Sequence, residues 1–121
     1  MRVLCADDDE SIRTLLEVAL GLEPDIEAHV VDGGRAALER ATRERWDVIL
    51  LDGMMPDLDG EETCRRLKAD PATAAIPVYF LTALSDEAER QQLRDAGAAG
   101  FFAKPLDPFA LAGALREALG G

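Results

Sequence analysis

Asp47-Val48-Ile49-Leu50-Leu51-Asp52-Gly53 places four consecutive aliphatic residues between two acids, with glycine directly after the second. Side chains alternate from face to face along a strand, so an unbroken apolar run of this length buries both faces. That is the pattern of a central strand in a parallel sheet covered by helices on both sides. The run ends at Asp52, and Asp52-Gly53 is an ordinary turn signal.

The same unit recurs on either side. Upstream, Val3 to Ala6 is a short apolar run, followed by Ile12, Leu15, Leu16, Ala19 and Leu20 at helical spacing, with Gly21 able to end the helix. Glu27 to Val31 reads as a weaker strand, and Gly33 and Gly34 lead into a helix that buries Ala37, Leu38 and Ala41. Downstream, the turn Met55-Pro56-Asp57-Leu58-Asp59-Gly60 opens a helix carrying Cys64 and Leu67 inward. Pro71 and Pro77 break the chain before the strand Val78 to Leu81, which Thr82 closes. Asp86 caps a helix running to Ala96, Gly97 ends it, and Gly100 to Ala103 is a fifth short strand ending at Lys104. Pro108 is suited to start the last helix. Strict alternation with right-handed crossovers predicts an α/β fold, a doubly wound five-stranded parallel sheet flanked by five helices.

A length of 121 residues fits a single domain over 1–121 that buries a core without disulfides or structural metal. Hydrophobic residues at 48% and charged residues at 31% exclude compositional disorder and a membrane-like chain. Cys5 and Cys64 lack metal or redox spacing and read as buried thiols. His29, the one histidine, reads as a surface or strand-edge residue. A net charge of −11 argues against direct contact with nucleic acid or anionic lipid, since phosphates are met by Lys and Arg clusters. The N-terminus resembles neither a signal peptide nor a spanning segment, and a cytoplasmic setting is expected.

In open α/β sheets ligands bind outside the carboxyl ends of the strands. The residues there are Asp7 and Asp8 after the first strand, Asp52 after the third, Thr82 after the fourth and Lys104 after the fifth. Each alone has a bland explanation: a helix cap, a turn, another cap, a solvated lysine. Their joint placement at four strand ends does not. Two carboxylates about 4 Å apart repel by roughly 4 kcal/mol at an effective dielectric near 20, so such a cluster calls for a cation. Oxygen-only ligands suit Mg²⁺, with Mn²⁺ as the alternative. Asp52 would then attack phosphorus as a nucleophile while Lys104 and Thr82 meet the transferred oxygens.

With these residues in view, the chain resembles the receiver domain of bacterial response regulators, the CheY-like family. The resemblance covers essentially the whole chain. It rests on Val3-Leu4-Cys5-Ala6-Asp7-Asp8-Asp9, on Leu50-Leu51-Asp52-Gly53-Met54-Met55-Pro56 with Asp59-Gly60, on Phe80-Leu81-Thr82-Ala83, and on Gly97 through Pro105. It implies the flavodoxin-like strand order 2-1-3-4-5 and phosphorylation of Asp52. It also implies Mg²⁺ held by Asp8, Asp52 and the backbone carbonyl of Met54, with Asp7 acting mainly through water. Thr82 and Lys104 would contact the phosphoryl group, and Lys104-Pro105 would be a cis peptide. The implied donor is a histidine kinase or histidine phosphotransfer protein. The implied output is a partner protein, an output domain or a phosphorylation-dependent dimer, reached through the face of the fourth helix, fifth strand and fifth helix. Beyond self-phosphorylation and its reversal, no enzymatic turnover is expected.

The sequence departs from the family where many members carry a switching tyrosine and this one has Phe101, which cannot hydrogen-bond. Met54 occupies a variable position beside the phosphoryl site. Three rival readings are a phosphorylation-independent interaction module, a haloacid dehalogenase-like phosphohydrolase and a flavodoxin-like cofactor binder. The second needs an acid where Met54 stands, and the third needs a Ser/Thr/Gly-rich cradle where Asp7 through Glu10 stand.

Overall fold

A computed structural model of the chain describes residues 1–83, 86–104 and 106–120. Five strands and five helices alternate: β1 (Arg2–Ala6), α1 (Glu10–Gly21), β2 (Glu27–Val31), α2 (Gly34–Arg43), β3 (Val48–Asp52), α3 (Gly60–Ala69), β4 (Val78–Thr82), α4 (Glu87–Asp95), β5 (Gly100–Ala103) and α5 (Leu111–Ala118). The sheet is parallel throughout in the order β2-β1-β3-β4-β5. This is the doubly wound parallel sheet expected from the alternation, in the flavodoxin-like order that the family resemblance implies.

Alternation along the inner strands divides the core in two. Leu4, Ala6, Ile49, Leu51, Val78 and Phe80 pack on one side with Ala37 and Ala41 of α2, Cys64 and Leu67 of α3, and Leu93 of α4. Val3, Cys5, Val48, Leu50 and Leu81 face the other way, against Leu16, Ala19 and Leu20 of α1 and Leu111, Ala112 and Leu115 of α5. All five residues of β3 are buried, as a strand flanked by β1 and β4 and covered on both faces must be. Cys5 and Cys64 are buried free thiols, and loss of solvation pushes them up to about 12 and about 11.

His29 lies on the edge strand β2, its ring edge-on to Trp46 at 5.3 Å between centroids. Arginine only donates, so the 3.0 Å contact from Arg40 makes Nδ1 of His29 an acceptor and leaves Nε2 to donate to Glu27.

Some boundaries differ from those expected. The last helix begins at Leu111, not at Pro108. The Asp107 side chain instead accepts from Phe109 N at 2.9 Å and its carbonyl accepts from Ala110 N, folding 107–110 into a turn. Gly21 is the last residue of α1 but has no positive φ, whereas Gly97, at φ 113°, takes the left-handed conformation that stops α4. Asp52 and Thr82 are the final residues of their strands rather than the residues after them. The expected cis peptide at Lys104-Pro105 lies outside the described residues.

Candidate functional site

The carboxyl ends of β1, β3, β4 and β5 open into a cleft of about 560 Å³ whose walls include Asp7, Asp8, Asp52, Met54, Thr82 and Lys104. The six residues expected at a phosphoryl and metal site therefore share one cavity. Phe101, the residue expected to switch, is not among its lining residues. It is half-buried on β5, its ring 6.5 Å from Phe80 and beneath the Arg94 guanidinium at 5.4 Å.

The two neighbouring acids after β1 have different roles. Asp7 is wholly buried, and its Oδ1 accepts from Asp9 N at 2.9 Å while Oδ2 accepts from Lys104 Nζ at 2.9 Å. Asp8 is exposed at the cleft mouth. Asp9 caps α1 by accepting from Ser11 N, so this third acid serves the helix, as its position before an amphipathic run predicts. Arg13, one turn into α1, donates to the Asp7 carbonyl at 3.0 Å and holds the corner between strand and helix.

Asp52 is 8% exposed. Its Oδ1 accepts from Met54 N and from Lys104 Nζ, each at 3.3 Å. Burial and then the negative field of Asp7 push this carboxyl up to about 6, against the opposing pull of Lys104 and Met54 N–H. Burial would pull Lys104 down, but its hydrogen bond to Asp7 and the fields of both carboxylates outweigh this and hold it above its ordinary value. Such a carboxylate is poorly stabilised until more positive charge arrives. One oxygen each from Asp7, Asp8 and Asp52 lie within 4.8 Å of one another, an all-oxygen donor set suited to a small hard dication.

The loop after β3 is held by close packing. Asp59 caps α3 by accepting from Glu62 N at 2.8 Å, and Gly60 N donates to Gly53 O. A Cβ on Gly60 would strike the Asp52 carbonyl and lie 2.8 Å from the Phe80 ring. Gly60→Ala is therefore expected to cost about 2 kcal/mol of stability through overpacking. It should also shift the amide resonances of Asp52 and Gly53. Urea denaturation with two-dimensional NMR checks both, and unchanged site resonances would mean that the helix start can retreat without moving Asp52. Asp57, read from sequence only as part of a turn, accepts from the first amides of α2, Gly34 N and Arg35 N, at 3.2 Å each. The contributions of Glu61, Glu89, Gln92 and Leu93 to the cleft wall were also not anticipated. The one available signal was that Glu61 and Glu89 fall in the first turns of helices capped by Asp59 and Asp86.

Residues 3–116 match the response regulator receiver domain family. Response regulator PleD of Caulobacter vibrioides is 43% identical over 116 residues, which are 96% of this chain and 25% of PleD. The uncharacterized transcriptional regulatory protein YclJ of Bacillus subtilis is 31% identical over 98% of this chain and 51% of its own length. The chain thus spans a quarter to a half of these curated relatives. Among solved structures, chemotaxis response regulator CheY4 of Vibrio cholerae aligns with a TM-score of 0.89 at 30% identity, covering 97% of each chain. The receiver domain of sensor histidine kinase PA1611 of Pseudomonas aeruginosa, solved with a magnesium ion coordinated in its active site cleft, aligns at 0.87 and 28% identity over 99% and 98% of the two chains. On fold, cleft and kinship together, this chain belongs to the response regulator receiver domains of two-component signalling.

Proposed function

We propose that Asp52 is the phosphoacceptor of this receiver domain and takes a phosphoryl group from a phosphohistidine donor with the help of Mg²⁺. The observation that carries this reading is the convergence of Asp7, Asp8, Asp52, Thr82 and Lys104 from four strand ends into one cleft. Asp8, Asp52 and the Met54 backbone carbonyl would hold the ion, with Asp7 behind them, and Mn²⁺ would serve in its place. Bound there, the ion supplies positive charge that lets an anionic donor approach and stabilises the charge on the transferred oxygens.

The chain's own residues supply the rest. Asp52 presents an ionised oxygen as nucleophile, and the Met54 N–H and Lys104 orient its carboxylate through Oδ1. Lys104 then stands where charge collects on the phosphoryl oxygens. Thr82, 8% exposed at the end of β4, offers a hydroxyl to them. A histidine kinase or histidine phosphotransfer protein would be the donor, and a partner protein or an output domain the reader. No helix among the described residues is long and apolar enough to cross a membrane, and we place this chemistry in the cytoplasm. Turnover of other substrates forms no part of this reading.

The test is intact-protein mass spectrometry after incubation with a small acyl phosphate, with and without Mg²⁺. The wild type should gain one phosphoryl group only with the metal, and Asp52→Asn should gain none. An adduct that ignores either change would overturn the assignment and favour a phosphorylation-independent module.

Signal output would run from Thr82 to Phe101. Movement of Thr82 toward the phosphoryl group would vacate space on the β4 and β5 side, into which Phe101 turns from under Arg94. A hydrogen bond to a charged group contributes about 1.5–3 kcal/mol, whereas a full switch from 1:99 to 99:1 needs about 5.5 kcal/mol. Phosphorylation would therefore shift the population partway and partner binding would complete it. Thr82→Ala should abolish the phosphorylation-dependent chemical-shift changes of Phe101, and their persistence would remove Thr82 from the route.

A further inference from the structure

The charge in the cleft is layered. At its floor the buried carboxylates of Asp7 and Asp52 are bridged by Lys104, the only lysine or arginine among the lining residues. Toward solvent the lining carries Asp8, which would help hold the ion, and beyond it a rim of the exposed Asp9, Asp59 and Glu89 and the half-buried Glu61. Asp9 and Asp59 are committed to capping helices. Among the described residues Glu61 pairs with Arg65 alone, at 3.3 Å across partly exposed side chains, a contact too solvated to cancel its field. Glu89 is exposed and has no hydrogen-bond or ion-pair partner among the described residues. A dication held at the floor leaves this rim negative.

Resting on the reading of Asp52 as phosphoacceptor, we propose that Glu61 and Glu89 select the phosphoryl donor by charge. They favour a phosphorylated imidazole set in a lysine- or arginine-rich protein surface and disfavour free anionic phosphoryl compounds. A donor must pass the rim to bring phosphorus to Asp52. Exposed charges act over about 10 Å at 0.1 M salt, so rim carboxylates repel an approaching dianion and attract a cationic surface around the reacting ring. The exposed side chain of Met54 and that of Leu93 add apolar wall against which an imidazole can lie. In the transfer itself an Asp52 oxygen forms the O–P bond and the bond from phosphorus to the donor breaks with its electron pair going to the donor. Phosphohistidine leaves as neutral imidazole with the proton on its other nitrogen, and an acyl phosphate leaves as a carboxylate.

The test compares three donors at saturating Mg²⁺: two phosphohistidine peptides of equal length, flanked by lysines or by glutamates, and acetyl phosphate. Wild type should be labelled roughly tenfold faster by the lysine-flanked peptide at low ionic strength, and the preference should shrink to within about twofold near 0.5 M salt. In Glu61→Gln/Glu89→Gln the peptide preference should fall to about threefold or less, while labelling by acetyl phosphate rises roughly threefold. A wild-type peptide ratio near one, a ratio that survives the double substitution, or an unchanged rate with acetyl phosphate would each overturn the proposal. Failure of every donor to label wild type would instead remove the phosphoacceptor reading on which it rests.

Discussion

Lys104→Met is expected to destabilise the domain by about 3 kcal/mol in divalent-free buffer near neutral pH. The loss should be larger than that from any single exposed ion pair in the molecule. Lys104 Nζ lies 2.9 Å from Asp7 and 3.3 Å from Asp52, and the Asp7 side chain is wholly inaccessible. Methionine keeps much of the packed stem but leaves two neighbouring buried carboxylates with no cation between them. Removing one partner of a buried pair typically costs about 3–5 kcal/mol, because the remaining charge stays desolvated. The lower end applies because Lys104 is itself 21% exposed and Asp52 borders the cleft. Urea denaturation measures the loss directly. Millimolar Mg²⁺ should restore a substantial part of it, because a dication at the cluster replaces the missing positive charge. A loss below about 1 kcal/mol would mean that the carboxylates reach water or neutralise without strain, and the picture of a tensioned site would be wrong. The variant should also phosphorylate poorly even when folded in excess Mg²⁺, since the charge facing the phosphoryl oxygens is gone.

The same lysine marks the limit of what the sequence discloses. The central strands were legible because β3 carries no polar interruption between Val48 and Leu51, and burial on both faces allows no other explanation. The strand ends followed from that, and with them the group Asp7, Asp8, Asp52, Thr82 and Lys104. The division of labour inside the group was not legible. Asp7 and Asp8 are identical neighbours, yet Asp7 is wholly buried and accepts from an ammonium 97 residues away while Asp8 is exposed. Long-range pairing of this kind leaves no local trace. The cleft wall was hidden for a similar reason: Glu89, Gln92 and Leu93 reach it only because α4 packs beside β4 and β5, and periodicity gives no information on a helix's placement. At Pro108 a local signal misled. Proline fits the first turn of a helix, but Asp107 bonds the following backbone first and the turn prevails over the helix until Leu111.

Asp52→Asn should make the metal-free protein more stable, and the sign depends on pH. The carboxyl of Asp52 titrates near 6 in the fold and near 3.9 in an unfolded chain. Between those values the folded state binds the extra proton. Its contribution to stability is therefore complete below about pH 4 and is lost as pH rises through 6. Above pH 6 the wild type carries an ionised Asp52 beside Asp7, which asparagine relieves. A shift of this size corresponds to roughly 3 kcal/mol at most, and residual solvation at the cleft and the bond from Lys104 reduce the expected gain to about 2 kcal/mol. Denaturation curves in chelator at pH 7.5 should place the asparagine variant above wild type by that amount, and the two should converge near pH 4. Adding Mg²⁺ should reverse the order, because ligand binding to the native state adds stability that grows with metal concentration, and asparagine offers the ion no charge. If wild type proved the more stable in chelator at pH 7.5, the raised titration of Asp52 would be wrong, and Lys104 would have to satisfy both carboxylates by itself. If instead the order held but Mg²⁺ left both proteins unmoved, the strain would be real while the cation that relieves it would lie elsewhere, on the donor's own surface.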